Sequence, residues 1–338
     1  MQVQLHRPSP TGLHAGAPRT FIQPLPEIVQ LVAAEMAEAE RQLRESLAST
    51  VPAVAEIGRY LAGAGGKRLR PLLTGLGARA AGHAGPIARL MCVGELVHLG
   101  SLLHDDVVDS GIERRGLPAA QRVYGNPGVI LTGDFCVARG LAIAADEAGL
   151  TAATGLARTV AAMSEGEIQQ LLNAGRLDLP VADYYEVIDK KSASLIAWCA
   201  SAGAWAVGNT AAADALAEYG RQVGLGFQIA DDVLDYIGKR TLTGKPRGLD
   251  LAQRKPTLPL LLALDRVDGL RERLAAPPAD EELDELLVLV RDSGAVTDAL
   301  RCARQHVSDS LTALAPLPDS PAKRALVALA HHLVERTR

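Results

Sequence analysis

Residues 27–48 read EIVQLVAAEMAEAERQLRESLA, and their apolar side chains fall at helical spacing. Ile28, Leu31, Val32, Met36, Ala39, Leu43 and Leu47 recur at steps of three and four with charges between them, the pattern of an amphipathic helix. The same period predicts helices over 86–109, 151–173, 211–236, 281–292 and 296–314. Breaks rich in Gly, Pro or Asp fall at 63–66, 82–86, 125–128, 178–180, 244–248 and 275–280. Alternating β-branched runs and a strand–helix–strand rhythm are both lacking, which argues against an α/β sheet. With no compositional boundary and no short repeat, the expectation is one all-α domain over 27–338. Residues 1–26 hold Pro8, Pro10, Pro18, Pro24 and Pro26 and no apolar stretch, so they read as a flexible arm and not a secretory signal.

Composition narrows the function. The 338 residues are 48% hydrophobic and 22% charged with a formal charge of −4, the balance of a folded protein. That charge argues against a nucleic-acid binder, and 3% aromatics argue against a base-stacking platform. Cys92, Cys136, Cys199 and Cys302 stand far apart without a CxxC pair and read as reduced thiols of a cytoplasmic protein. The charge-free stretch 192–213 is long enough to span a bilayer, yet Ser194, Ser201 and the Gly208-Asn209-Thr210 break make it a buried core helix.

The chemistry begins with a doubled motif. Asp105-Asp106-Val107-Val108-Asp109 ends one predicted helix, and Asp231-Asp232-Val233-Leu234-Asp235 ends another. In each, the outer aspartates are four residues apart and share a helix face, an arrangement that is repulsive without a cation. All-oxygen ligands suit a hard divalent ion such as Mg²⁺, which takes one or two carboxylates plus phosphates and waters. Basic residues complement them. Lys67 and Arg70 follow the glycine turn at Gly65-Gly66, Arg114-Arg115 follows the first motif, Lys191-Ser192 opens the charge-free stretch, and Lys245 and Lys255 follow the second motif. Acids that need metal alternating with bases that suit phosphate point to a diphosphate bridged by Mg²⁺.

The order Gly66-Lys67-Arg68-Leu69-Arg70-Pro71, Leu102-Leu103-His104-Asp105-Asp106-Val107-Val108-Asp109, Arg114-Arg115-Gly116, Gly133-Asp134 and Lys191-Ser192-Ala193 resembles the trans-type polyprenyl diphosphate synthases. Phe227-Gln228-Ile229-Ala230 before Asp231, Gly244-Lys245-Pro246, and Asp250-Leu251 through Lys255 to Thr257-Leu258-Pro259 continue the resemblance, which covers about residues 27–338. It implies the all-α isoprenoid synthase bundle around a central cavity, usually a homodimer. It further implies that Asp105 and Asp109 bind two Mg²⁺ ions, and that Asp231, supported by Asp232 and Asp235, binds a third; Asp106 belongs to the same metal set. By the same resemblance Lys67, Arg70, His98 and Arg115 hold isopentenyl diphosphate, while Arg114, Lys191, Ser192, Gln228, Lys245 and Lys255 hold the allylic diphosphate primer. Ser192 stands where the family usually has Thr, and the hydroxyl is kept. Asp105, Asp109, Asp231 and Lys191 would carry the catalysis.

The implied reaction is loss of diphosphate to an allylic cation, attack by the isopentenyl double bond, and loss of a proton. Gly100 and Ser101 lie about one turn before Asp105, with Val97 and Gly94 further along, and small residues there suit a channel for a growing chain. Short-product relatives tend to carry aromatics at those positions. With Ala138 and Ala142 read as further small neighbours, the expected product exceeds about four isoprene units. The competing reading is that the glycines only allow close helix packing. Other functions also fit parts of the pattern. A class I terpene cyclase shares the acidic motif but needs no second diphosphate site. A ferritin-like site would want two ExxH pairs where Glu95 and His98 make one. A short-chain synthase differs in its product, and a non-catalytic subunit of a heteromeric synthase usually lacks acidic residues that both motifs here keep.

Overall fold

The structure, a computed structural model, describes residues 28, 30–237 and 248–335. Residues 1–26, expected to form an arm, and Gly244, Lys245 and Pro246 lie outside the described residues. Helices make up most of it: α1 (Ala33–Ser46), α2 (Pro52–Gly63), α3 (Leu69–Ala80), α4 (Ala88–Met91), α5 (Val93–Val108), α6 (Ala120–Tyr124), α7 (Asn126–Asn173) and α8 (Val181–Ile188). A π-helical turn (Asp189–Ala193) leads into α9 (Ser194–Ala206). Then come α10 (Thr210–Ile237), α11 (Leu249–Ala252), α12 (Leu258–Leu264), α13 (Leu270–Arg273), α14 (Asp280–Asp292), α15 (Ala295–Ala313) and α16 (Pro321–Glu335). The all-α expectation holds. One small departure is the antiparallel pair β1 (Glu113–Arg114) and β2 (Leu117–Pro118), two residues each and too short to leave a sequence signal.

Most boundaries follow from local chemistry. Pro52 opens α2 at a position whose N–H has no intrahelical partner. Asn126-Pro127 opens α7, so part of the break expected at 125–128 is a helix start. Gly149, with φ at 76°, interrupts α7 and lets it bend there. The predicted 86–109 helix is divided at Cys92 into α4 and α5. The stretch 192–213 is not one helix, because its first two residues belong to the π turn and Gly208 (φ 68°) lies in the break after α9. Its middle is nonetheless a core helix: Leu195, Ile196, Trp198, Cys199, Ala200, Ala202 and Ala204 are buried.

The chain forms two compact units, one from the chain up to Ala157 with Cys199–Ala213 and Ser320–Ala322, the other from Arg158–Trp198, Asp214–Asp319 and Lys323 onward. In the first, Leu43, Leu47, Leu61, Leu73, Leu76, Leu90, Leu96 and Leu99 are almost fully buried. Glycines let its helices approach closely. A Cβ on Gly77 would lie 2.0 Å from the Ala200 carbonyl oxygen, and one on Gly94 would lie 2.3 Å from Cys199 Sγ. In the second, α10 turns Leu216, Tyr219, Val223, Ile229, Val233 and Tyr236 into the core, and the Tyr219 hydroxyl donates to the Leu326 carbonyl at 2.7 Å.

Gly77→Ala therefore forces backbone apart and should cost more than about 2 kcal/mol of stability, whereas Gly63→Ala, with nothing within 4 Å, should change it by less than about 1 kcal/mol. Denaturant midpoints of the two variants check this, and similar midpoints would contradict the close α3–α9 contact.

Candidate active site

On the first unit, Asp105 to Asp109 form the last turn of α5 and its cap. The three aspartates are divided: Asp109 is exposed, Asp105 is half-buried and Asp106 is buried. Asp106 accepts from Arg114 Nε at 2.7 Å and from the Ala120 N–H at 3.1 Å. Both of its oxygens thus hold the 110–120 segment. The same bond claims one edge of the Arg114 guanidinium.

Cations gather nearby. Arg68, in the left-handed region at φ 47°, begins α3, and its guanidinium turns inward to Glu40 and Glu95. Arg115, also left-handed at φ 55°, donates to the Gly65 carbonyl. A side chain at Gly66 would crowd both guanidinium groups, each 3.2 Å from where its Cβ would lie. Arg70 Nε is buried without a hydrogen-bond partner. Burial, followed by the charges of Arg70, Arg115, Arg114 and Arg68, holds the His98 imidazole well below its ordinary pKa, so it is neutral at pH 7. Burial also lowers Arg115 from its ordinary value, with the neighbouring arginines adding to the effect. Such an array suits an anion with several oxygens. The sequence places Lys67 at the same turn, exposed.

The small residues before Asp105 behave differently from the channel expectation. A Cβ on Gly100 would sit 2.9 Å from the Gly133 carbonyl and 3.1 Å from Val137. Val97 is buried and packs on Gly140, while Ala138 and Ala142 are exposed. Gly100, Val97 and Gly94 are therefore contact points between helices. Ser101 is half-buried, its hydroxyl donating to the His98 carbonyl at 3.0 Å.

On the second unit, Asp231, Asp232 and Asp235 are divided in the same manner. Asp231 is exposed. Asp232 is buried and accepts from Tyr184 Oη at 2.7 Å and Gln228 Nε2 at 2.9 Å. Ser192 Oγ in turn donates to Gln228 Oε1 at 2.7 Å, which completes a chain from α8 through α10 to the π turn. Asp235 accepts from the N–H groups of Leu249 and Asp250 and so anchors α11. Burial raises both carboxyls, Asp235 to about 6 with a further push from Asp250. Burial works against the Lys255 ammonium, yet Asp232, Asp250, Asp231 and Asp235 hold its pKa above the ordinary value. Lys191 pairs with Glu167. Lys191, Ser192, Gln228, Asp232 and Lys255 line one cavity with Gln170, Asn173 and the apolar Leu179, Val187 and Leu261.

Among the described residues no three His, Cys, Asp or Glu side chains converge on a ready-made metal site. The donor set still fits Mg²⁺, which binds through few carboxylates and completes its shell with phosphate oxygens and water. Tyr184, Glu167, Asp250 and Gln170 were not foreseen. Tyr184 lies two helical turns before Lys191, but the π turn between them shifts the phase, so spacing alone does not reveal it.

The arginine cluster has a measurable consequence. NMR titration of the His98 imidazole, assigned with His98→Gln, should show it neutral from pH 8 down to pH 6, and inorganic diphosphate should raise its midpoint by offsetting the guanidinium charges. A midpoint at or above the ordinary value of about 6.5 in the ligand-free protein would contradict the cluster.

Comparison with known proteins agrees with these features. The Polyprenyl synthetase family profile matches residues 51–288. The octaprenyl diphosphate synthase of Haemophilus influenzae is 36% identical over 318 residues, covering 92% of this chain and 96% of that one. The all-trans-nonaprenyl-diphosphate synthase (geranyl-diphosphate specific) of Rhodobacter capsulatus is 31% identical, covering 92% and 97%. The crystal structure of a Caulobacter crescentus CB15 polyprenyl synthase complexed with calcium and isoprenyl diphosphate superposes with a TM-score of 0.87 at 36% identity, covering 93% and 98%. Two basic clusters, two acidic motifs, an all-helical fold and full-length similarity make this chain a member of the polyprenyl synthetase family.

Proposed function

We propose that the protein is a Mg²⁺-dependent long-chain trans-prenyltransferase that adds isopentenyl diphosphate to an allylic diphosphate and carries the product beyond four isoprene units. The observation behind this reading is that each unit builds its own diphosphate-grade set of donors, Arg70, Arg115 and His98 on one, Lys191, Ser192, Gln228 and Lys255 on the other. A cyclase has one diphosphate to hold and no use for both. The long product is supported by relatives named for octaprenyl and nonaprenyl products.

In this reading Lys67, Arg70, Arg115 and His98 bind isopentenyl diphosphate. Neutral His98 can donate one hydrogen bond without adding charge to an already cationic pocket. Lys191, Lys255, Ser192 and Gln228 bind and orient the allylic diphosphate, with Arg114 and Lys245 as further contacts. Mg²⁺, three ions with substrate bound, is assigned to Asp105, Asp109 and Asp231 and supplies Lewis-acid stabilisation of the leaving diphosphate. The chain's cations hold the departing group as the allylic C–O bond breaks, the isopentenyl double bond forms the new C–C bond, and a proton leaves to the released diphosphate. Asp106, Asp232 and Asp235 act as supports for these groups.

The tests are direct. Radiolabelled isopentenyl diphosphate with primer and Mg²⁺ should yield dephosphorylated alcohols longer than C20, and products ending at C15 or C20 would make it a short-chain enzyme. No elongation by the chain alone would favour a partner-dependent subunit. Asp231→Ala should lower turnover at least about a hundredfold. Arg70→Ala should raise mainly the KM for isopentenyl diphosphate and Lys191→Ala mainly that for the primer. Equal effects on both substrates would overturn the two-site assignment. Ser101→Phe should shorten the product without abolishing turnover.

We further propose a cytoplasmic homodimer. Its four cysteines are free, as in reducing compartments, and α7 presents Ile130, Leu131 and Leu150 to solvent, Leu131 at 64% exposure. Light scattering on the purified chain should give twice the chain mass, and Leu131→Glu should shift it toward the monomer. A monomeric wild type would end this assignment.

A further inference from the structure

α11 closes with a left-handed residue that is not glycine. The Lys255 N–H donates to the Asp250 carbonyl at 2.8 Å and the Arg254 N–H to that of Leu251 at 3.0 Å, the two bonds of a Schellman cap. The residue at its left-handed position is Arg254, with φ at 53°. Glycine fits that conformation without steric penalty, while an L side chain is strained there. The arginine side chain therefore has to be held by something that glycine would lack.

It is held at the end of α7. Arg254 Nη2 donates to the Gly175 carbonyl at 2.8 Å, and the Gly175 N–H donates back to the Arg254 carbonyl at 3.2 Å. Gly175 is itself left-handed at φ 75°, and a Cβ there would lie 3.4 Å from the Arg254 guanidinium carbon. Two helix caps thus clasp each other through reciprocal bonds. Both flanks of the clasp reach the cavity, Gln170 and Asn173 just before Gly175, Lys255 and Pro256 just after Arg254. The loop continues to Thr257, whose hydroxyl meets Tyr236 at 2.9 Å.

We propose that Arg254 is a positioning residue for the allylic diphosphate, fixing where the Lys255 ammonium stands by locking its loop to the end of α7. The proposal rests on the reading above that Lys255 grips that diphosphate. Arg254 itself touches no reacting atom. A clasp of this kind acts on binding, because it sets the location of a charge and not its presence.

The test uses the full chain with Arg254→Gly and Arg254→Lys. Calorimetry with a non-reacting allylic thiodiphosphate and Mg²⁺ should show Arg254→Gly binding at least about fivefold more weakly, with the KM for isopentenyl diphosphate unchanged and kcat within about twofold. Its unfolding midpoint should stay level or rise, since glycine suits the left-handed cap. Arg254→Lys should fall between, as an ammonium can still reach the Gly175 carbonyl. Unchanged affinity in Arg254→Gly overturns the proposal, as does a lowered midpoint with both substrates weakened equally. A wild type that fails to elongate a primer would overturn the enzymatic reading instead, and the calorimetric comparison would still decide the role of Arg254.

Discussion

Crowded like charge is the constraint on which the rest of this structure depends. Two unit charges about 4 Å apart repel by roughly 4 kcal/mol at the effective dielectric of a protein surface. The chain concentrates arginines around His98 and aspartates around Lys255, so each cluster must be made tolerable by the protein itself. Neutrality is the device on the first unit: His98 gives up its proton, and Arg68 is drawn away to Glu40 and Glu95. On the second unit the Lys255 ammonium stands among four carboxylates. Burial of Asp232 and Asp235, which favours their protonated forms, eases the same crowding.

That constraint explains why the two acidic motifs are divided alike. A carboxylate that accepts two short bonds from fixed donors is held as part of the scaffold, as Asp106 is by Arg114 and Ala120 and Asp232 is by Tyr184 and Gln228. The helix then presents Asp109 and Asp231 toward solvent. The middle residue sets the orientation of the turn, and one outer residue of each motif faces solvent. Spacing on a helix supports this division: residues one apart point about 100° away from each other, so the second aspartate cannot share the face of the first.

Much of this was legible in the sequence because it depends on local periodicity or charge. The 3.6-residue period located α10, α14 and α15 to within about one residue, since each keeps one apolar face. The acidic pairs and the basic turn at Gly65-Gly66 needed no structure to be noticed. What was not legible involves contacts far apart in sequence. Gly100 reads in the sequence chiefly as a channel wall, and the Gly133 carbonyl 2.9 Å from its would-be Cβ is a contact that the sequence does not reveal. Tyr184 is 48 residues from its partner Asp232. Ala138 and Ala142 share their helix with Gly133 and Gly140, yet they turn outward while the glycines meet α5.

The π turn at Asp189–Ala193 shows how a backbone irregularity and a charge site are linked. One inserted residue lets Lys191 and Ser192 leave the ordinary helical phase, at the cost of a wider turn that needs room on both sides. Two glycines provide it. A Cβ on Gly166 would come within 2.8 Å of the Lys191 nitrogen, and one on Gly224 within 2.6 Å of the Ala193 Cα. Neither glycine needs a positive φ, so their absence of a side chain serves close approach and not chain reversal. Lys191 can then meet Glu167 on α7 while Ser192, the next residue, meets Gln228 on α10. A regular helix would also part these neighbours by about 100°, and it is the two glycines that let α7 and α10 come so near their backbone. The placement of Lys191 and Ser192 is therefore set as much by two residues without side chains as by the charged groups they face.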